Sequence, residues 1–275
     1  MLTDYHVHLR TDERENTAER FFTAANAERY REVATERVIA ELGVAEHIYR
    51  FAAAMEIWQH PFWREYAHDD LDDYCGFVRE ETDLRLGIEM DFIPGREDRI
   101  ANVLDGRDWD YVVGSVHFLR DHSLDTEEYS VWGAGESAER VWSRYFETVA
   151  ASALSGLYDI IGHPDLVKVW GAAAPRPDRD PRYFYEPAVE AFAEAGVAVE
   201  ISTAGWRKPV GEQYPAVPFL EMLIDAGCPL VLSSDAHTPE HLGHEYERAV
   251  ELLQSLGVAE IALFDRRERR LEPLG

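Results

Sequence analysis

Short apolar, β-branched runs alternate with helical segments along the whole chain, and this alternation constrains the fold more than any other feature of the sequence. The runs are "TDYHVHL" (3–9), "IAELGVAEHI" (39–48), "LRLGIEMDF" (84–92), "DYVVGSVHF" (110–118), "YDIIGHP" (158–164), "VAVEIST" (197–203), "PLVLSSDAH" (229–237) and "EIALF" (260–264). Between them, "NAERYREVATERVIAEL", "ESAERVWSRYFETVAASAL", "YEPAVEAFAEAG" and "PEHLGHEYERAVELLQSLG" carry spaced apolar residues and good helix formers. Alternation of this kind builds βαβ units around a parallel sheet, so the fold class is α/β. With 275 residues, 46% of them hydrophobic, the chain can bury one large core. No repeat, low-complexity block or long polar linker divides it, and the Pro- and Arg-rich "GAAAPRPDRDPRY" reads as an exposed loop. One domain over 1–275 is therefore expected. A strongly aromatic stretch near 51–73 has the composition of a lid or insert, with core packing as the other reading.

Charge narrows the partners. Lys and Arg number 27 against 53 Asp and Glu, a formal charge of −26, which repels nucleic-acid phosphates and anionic membranes. A bound phosphate would need its own local cations. Only Cys75 and Cys228 are present, too few for a disulfide framework. No signal-like or membrane-spanning run occurs, so a cytoplasmic protein is expected.

Strands of a buried parallel sheet should be almost continuously apolar, yet most of these finish on a metal-capable side chain. The endings are His6 and His8, His47, Glu89, His117, His163, and Asp235 with His237. In a barrel, strand ends converge on the carboxyl face, where active sites lie. His-x-His sends both imidazoles to one side of a strand, and "SSDAH" repeats the spacing with a carboxylate. Eight such residues from six strand ends would otherwise be an unexplained buried polar cost. Imidazole with carboxylate and no thiolate selects Zn, Mn or Fe, and the ligands are enough for two or three ions. The remaining histidines, His60, His68, His122, His241 and His244, fall outside this pattern: His241 and His244 read as a solvated helix face, and His60 and His68 as surface residues of the aromatic stretch that could also touch substrate.

In this order, "HVH", "AEH", "GIEMDFIPG", "DYVVGSVHF", "IGHPDL", "STAGWRKP" and "SSDAH" resemble the polymerase and histidinol phosphatase (PHP) family, specifically its histidinol-phosphatase branch. The resemblance implies a distorted TIM-like (β/α)7 barrel. It also implies a multinuclear site held by His6, His8, His47, Glu89, His117, His163, Asp235 and His237. A further ligand usually follows His-x-His, but "LRTDERENT" contains no histidine. Asp12, Glu13 or Glu15 could replace it, with Glu13 favoured by spacing; a salt-bridged loop or a two-metal site are the alternatives. The implied reaction is hydrolysis of L-histidinol phosphate in histidine biosynthesis. Asp235 or a neighbouring His, His237, would supply the proton to the departing alkoxide. Arg207 is the expected phosphate contact and Lys168 the second candidate.

Overall fold

The computed structural model describes residues 1–12 and 16–275. Seven parallel strands form the central sheet: β1 (Thr3–Asp4), β2 (Glu41–His47), β3 (Arg85–Asp91), β4 (Tyr111–Ser115), β5 (Ile160–Ile161), β6 (Ala198–Ser202) and β7 (Leu230–Ser233). They neighbour one another in chain order, as successive right-handed βα units dictate. The two edges meet through a parallel bridge between Val7 and Ala236, with His8 N donating to Ala236 O at 2.8 Å. The sheet thus closes into the expected (β/α)7 barrel.

Along each strand one side chain in two points inward. The inner layer at the amino end is apolar: Tyr5, Ala45, Tyr111, Val113, Ile160, Ala198 and Val231 pack together. Gly43 and Gly87 on adjacent strands have no Cβ because the Tyr111 ring lies against both. The eighth apolar run is not a barrel strand. Glu260–Asp265 pairs antiparallel with Glu268–Pro273, and its Ala262 and Phe264 plug the amino end of the barrel. Above this layer the inward positions turn polar, which places the site at the carboxyl end.

Helices cover the outside. Ala138–Leu154, capped by Ser137, buries Val141, Trp142, Tyr145, Phe146 and Val149. Arg182–Ala195 packs beside it and stops at Gly196, whose φ of 64° makes the left-handed cap. Two predicted helices were too long. "NAERYREVATERVIAEL" is helical only as part of Ala24–Glu36, because its last residues enter β2. In "PEHLGHEYERAVELLQSLG" the helix runs Tyr246–Ser255; Pro239–His241 is a single 3-10 turn, and Gly243 and Glu245 have positive φ. His241 and His244 are accordingly half-buried in a loop, not displayed on a helix face.

The aromatic stretch at 51–73 divides its labour. Phe51, Trp58 and Trp63 are core, whereas Phe62 and Tyr66 face a cavity above the barrel mouth. His60 is buried too, stacked on Trp58 at 4.3 Å, which corrects its reading as a surface or substrate residue. No helix among the described residues is long and apolar enough to cross a membrane.

Candidate metal centre

Glu89 points inward near the carboxyl end of β3 and is 1% exposed. Five imidazoles surround its carboxylate. His163 Nε2 lies 3.1 Å and His117 Nε2 3.3 Å from Oε1, His6 Nε2 is 3.4 Å from the same oxygen, and His8 Nε2 is 3.6 Å from Oε2. His47 Nδ1 pairs with Oε2. Asp235 Oδ1 stands across the cluster, 3.5 Å from His8 Nε2 and 3.9 Å from His6 Nε2. His237 completes it, with Nε2 3.3 Å from His47 Nε2 and its ring stacked on His8 at 4.1 Å. All eight residues read from the strand ends therefore converge on one volume.

Local structure explains how they do so. β1 is interrupted between Asp4 and the Val7 bridge, so Tyr5 joins the apolar floor while His6 and His8 both still face the site. His163 and Asp235 leave their strands at φ of 26° and 48°, conformations that cost a non-glycine residue about 1–3 kcal/mol and cluster at functional sites. Each is supported. His163 N donates to Glu200 Oε2 at 2.5 Å and Tyr145 Oη donates to His163 O at 3.3 Å. Arg207 Nη2 donates to the carbonyls of Ser234 and Asp235, both at 2.9 Å.

A second layer orients the imidazoles. His6 Nδ1 is 2.7 Å from Glu200 Oε1, His117 Nδ1 is 2.8 Å from Asp91 Oδ1, and Ser115 Oγ donates to Glu89 Oε1 at 2.7 Å. Carboxylate-to-imidazole pairs of this kind fix the tautomer of a metal-ligating histidine and leave Nε2 as the lone-pair donor. Burial disfavours the charged form of both rings, but the carboxylates prevail: Glu200, Glu89 and Asp235 raise His6 well above its ordinary pKa, and Asp91 and Glu89 raise His117 to about 10. His8, buried beside His237 and His47, goes the other way. Burial alone would raise the two central carboxyls, yet His47 and His6 hold Glu89, and His6 holds Asp235, well below the usual range.

Several of these buried atoms have no hydrogen-bond partner: Nε2 of His6, both ring nitrogens of His8, Nδ1 of His47 and Oε2 of Glu89. Buried polar atoms are ordinarily satisfied. Three overlapping ligand triads, His8–His47–His237, His6–His8–Asp235 and His6–Glu89–His163, each gather their donor atoms within 4.8 Å. Divalent cations are what such lone pairs fit. Asp12 also reaches the cluster, with Oδ1 3.1 Å from His237 Nε2. The favoured substitute, Glu13, and also Glu15, lie outside the described residues.

A family model described as PHP domain matches residues 6–204. The chain belongs to the PHP domain family. It is 34% identical over 251 residues, 89% of this chain and 91% of the relative, to a probable histidinol-phosphatase of Deinococcus radiodurans. It is 31% identical over 188 residues to the histidinol-phosphatase of Bacillus subtilis, covering 63% and 70% of the two chains. Among solved structures, the Lactococcus lactis histidinol phosphate phosphatase complexed with zinc, L-histidinol and phosphate superposes with a TM-score of 0.71 at 18% identity over 98% of both chains. A putative histidinol phosphatase from Listeria monocytogenes gives 0.73 at 20% identity, over 90% of this chain and 99% of that one.

In this PHP domain the cluster borders a cavity of about 400 Å³. Tyr49, Phe62, Tyr66, Phe118 and Trp170 line it with aromatic rings, and Asp12, Asp125, Arg50 and Lys208 supply charge. Of the two expected phosphate contacts, Lys168 is not there. Its ammonium is buried against Asp165 Oδ2 at 2.8 Å and Glu212 Oε1 at 3.1 Å, and it donates to Gln213 O at 2.8 Å. Arg207 lies behind Asp235, with Nη1 unpartnered and buried. The cavity's cations are instead Arg50, tied to Glu46 at 3.4 Å, and Lys208, whose ammonium has no hydrogen bond or ion pair among the described residues. Sequence reasoning missed these, as it missed Glu200 and Asp91. The last two did leave a signal: Asp91 follows Glu89 by two residues on the same strand face, and Glu200 interrupts the apolar run "VAVEIST".

Proposed function

We propose that this chain is a metal-dependent histidinol-phosphatase, hydrolysing L-histidinol phosphate to L-histidinol and phosphate as a step of histidine biosynthesis. The observation that carries the reading is the eight-residue imidazole and carboxylate cluster, rich in unpartnered lone pairs, beside an aromatic-lined cavity. The curated relatives of known name in this family point the same way.

Two to three divalent transition ions, of Zn, Mn or Fe, are held by His6, His8, His47, Glu89, His117, His163, Asp235 and His237, with Asp12 or Glu13 completing the set. When bound, such ions neutralise phosphoryl oxygens and generate a nucleophile near neutral pH. The protein does the rest. Glu89, central to five imidazoles, fixes the spacing of the cluster. Glu200 and Asp91 aim His6 and His117 through their Nδ1 atoms. Asp235, held as a carboxylate by His6 and His8, accepts the proton of the attacking water and returns it to the departing alkoxide, with His237 as the neighbouring relay. Arg207 steadies the Asp235 backbone through Nη2, and the cations that line the cavity, Arg50 and Lys208, take the phosphate in its place. Tyr49, Phe62, Tyr66, Phe118 and Trp170 take the imidazole ring of the substrate, while Asp125 in the same cavity suits its ammonium group. Two free thiols and the absence of a disulfide are in keeping with a reducing cytoplasm.

The test is phosphate release by protein purified without chelator, assayed on L-histidinol phosphate beside a panel of nucleotide and sugar phosphates, with metal content measured on the same sample. Preference for histidinol phosphate, two to three ions per chain and loss of turnover in chelator are expected. Turnover that survives verified metal removal would refute the metal role, and preference for another ester would transfer the site to that substrate.

A further inference from the structure

Apart from the metal-ligand nitrogens, two buried side-chain oxygens in the cavity wall have no hydrogen-bond partner among the described residues: Thr126 Oγ1 and the Tyr214 hydroxyl. Thr126 sits half-buried on a hairpin loop, whereas Tyr214 is 1% exposed. An unmade hydrogen bond at such a position costs about 1–3 kcal/mol, and phenylalanine would fill the same space without that cost.

The surrounding structure holds this phenol firmly. Tyr214 pairs with Ser202 at the end of β6, N to O at 2.9 Å and O to N at 2.7 Å. The segment that carries it is pinned on both sides. Lys168 reaches Glu212 and Gln213, and Asp165 Oδ2 accepts from Ala216 N at 2.8 Å. Gly205 has to be a glycine here, since a Cβ would fall 3.1 Å from the Tyr214 ring and closer still to Glu212 O. The ring stands edge-on to the ligand His163 at a centroid distance of 6.3 Å. Beneath it lies the Lys168 ammonium, 5.3 Å from the ring centre.

We propose that the Tyr214 hydroxyl is a catalytic residue that donates a hydrogen bond to a phosphoryl oxygen of the bound ester. The inference rests on the phosphatase reading above and adds to it a donor that is not a metal ligand. Three observations favour the phosphoryl group over the organic end. Tyr214 lines the cavity beside His163, at the cluster where the phosphoryl group would be bound. Arg50, one of the two cations lining the cavity, is already engaged with Glu46, which leaves Lys208 as the lining cation without an ion pair among the described residues. A cation against the ring face draws electron density from the phenol and strengthens its O–H as a donor. Burial, reinforced by Asp165 and Asp235, lifts the phenol well above its ordinary pKa, so the proton is present throughout the working range. The buried Lys168 then acts on phosphate through Tyr214, as a positioning residue.

The experiment compares Tyr214→Phe with the wild-type holoenzyme in four measurements: metal content, melting temperature, affinity for inorganic phosphate as product inhibitor, and kcat/KM on L-histidinol phosphate. Metal content should be unchanged and the melting temperature equal to or above that of wild type, because an unsatisfied buried hydroxyl has been removed. The phosphate inhibition constant should rise, and kcat/KM should fall about 10–100-fold, the loss expected for one hydrogen bond to a charged group. Unchanged phosphate affinity and kcat/KM overturn the proposal, as does a loss of activity accompanied by loss of metal. A wild-type enzyme inactive on histidinol phosphate would instead be a failure of the substrate reading. In that case the phosphate affinity of the two holoproteins alone decides the role of Tyr214.

Discussion

The two ends of the barrel treat buried carboxylates in opposite ways. At the amino end, Asp110 and Asp159 precede β4 and β5 and meet arginines and backbone amides. Asp110 accepts from Arg79 Nη1 at 2.7 Å, Leu86 N at 2.8 Å and Arg266 N at 3.2 Å, and Asp159 Oδ2 accepts from Arg267 Nε and Val112 N, both at 2.8 Å. At the carboxyl end, Glu89 and Asp235 meet only imidazoles and one hydroxyl, and Oε2 of Glu89 has no hydrogen bond. Guanidinium is permanently charged and has no lone pair, so its ion pairs are closed structural units. Imidazole can give up its proton and offer a lone pair, which makes the upper cluster a site open to cations. The same barrel is thus locked at one end and reactive at the other.

The largest expected effect comes from making the reactive end resemble the locked one. Glu89→Gln keeps the size of the side chain while removing the charge at the centre of five imidazoles. Metal content should fall, and kcat should drop by more than the ~10–100-fold typical of losing an outer-layer partner of a metal ligand. Normal metal stoichiometry and rate, by mass spectrometry and steady-state kinetics, would make Glu89 a core residue of the locked type.

The pH dependence of stability should also separate the two ends. His6 and His117 are raised above their unfolded value in the cation-free protein, His117 to about 10. A group raised on folding contributes stability that is fully present below its unfolded pKa, about 6.5, and is lost as pH rises through the folded value. Chelated protein should therefore lose stability between pH 7 and 9, at about 1.4 kcal/mol per pH unit for His117, with His6 acting in the same direction. Metal-replete protein, whose imidazoles are occupied as neutral ligands, should show a flat profile over that window. Denaturant melts of both forms at several pH values provide the measurement; parallel profiles would remove His6 and His117 from the ligand set.

Much of the reactive end was legible in the sequence because a buried parallel strand has no other use for a terminal histidine. The barrel class was legible for the same reason: seven of the eight apolar runs are its strands. What was not legible depends on partners distant in the chain. Lys168 resembles a substrate cation until Asp165 and Glu212 are seen on either side of it. His60 resembles a surface residue until Trp58 folds beneath it. "EIALF" has the composition of a barrel strand, but the barrel is already closed by Val7 and Ala236, so it turns back on itself as a plug. Tyr214 lies in an irregular segment with no periodicity to read, and its place in the cavity follows only from its pairing with Ser202.

The smallest effect should come from Asp110→Asn at the locked end. Asp110 is 1% exposed and its carboxylate links β3, β4 and the plug hairpin through Leu86 N, Arg79 and Arg266 N. Although burial opposes ionisation, the Arg79 and amide hydrogen bonds hold its pKa below the ordinary value. A group lowered in this way stabilises the fold above its unfolded pKa of about 4 and loses that contribution only as pH falls through the folded value, so it adds no slope between pH 7 and 9. The amide keeps one acceptor oxygen but replaces the other with a donor facing donors, so a loss of about 1–3 kcal/mol of stability is expected. That loss should be the same at pH 7 and pH 9, and metal content and kcat should stay at wild-type values, since no Asp110 contact reaches the cluster. Denaturant melts at the two pH values, read beside metal content, check both halves of the expectation. A fall in bound metal would show that the two ends are coupled through β3, which carries both Leu86 and Glu89.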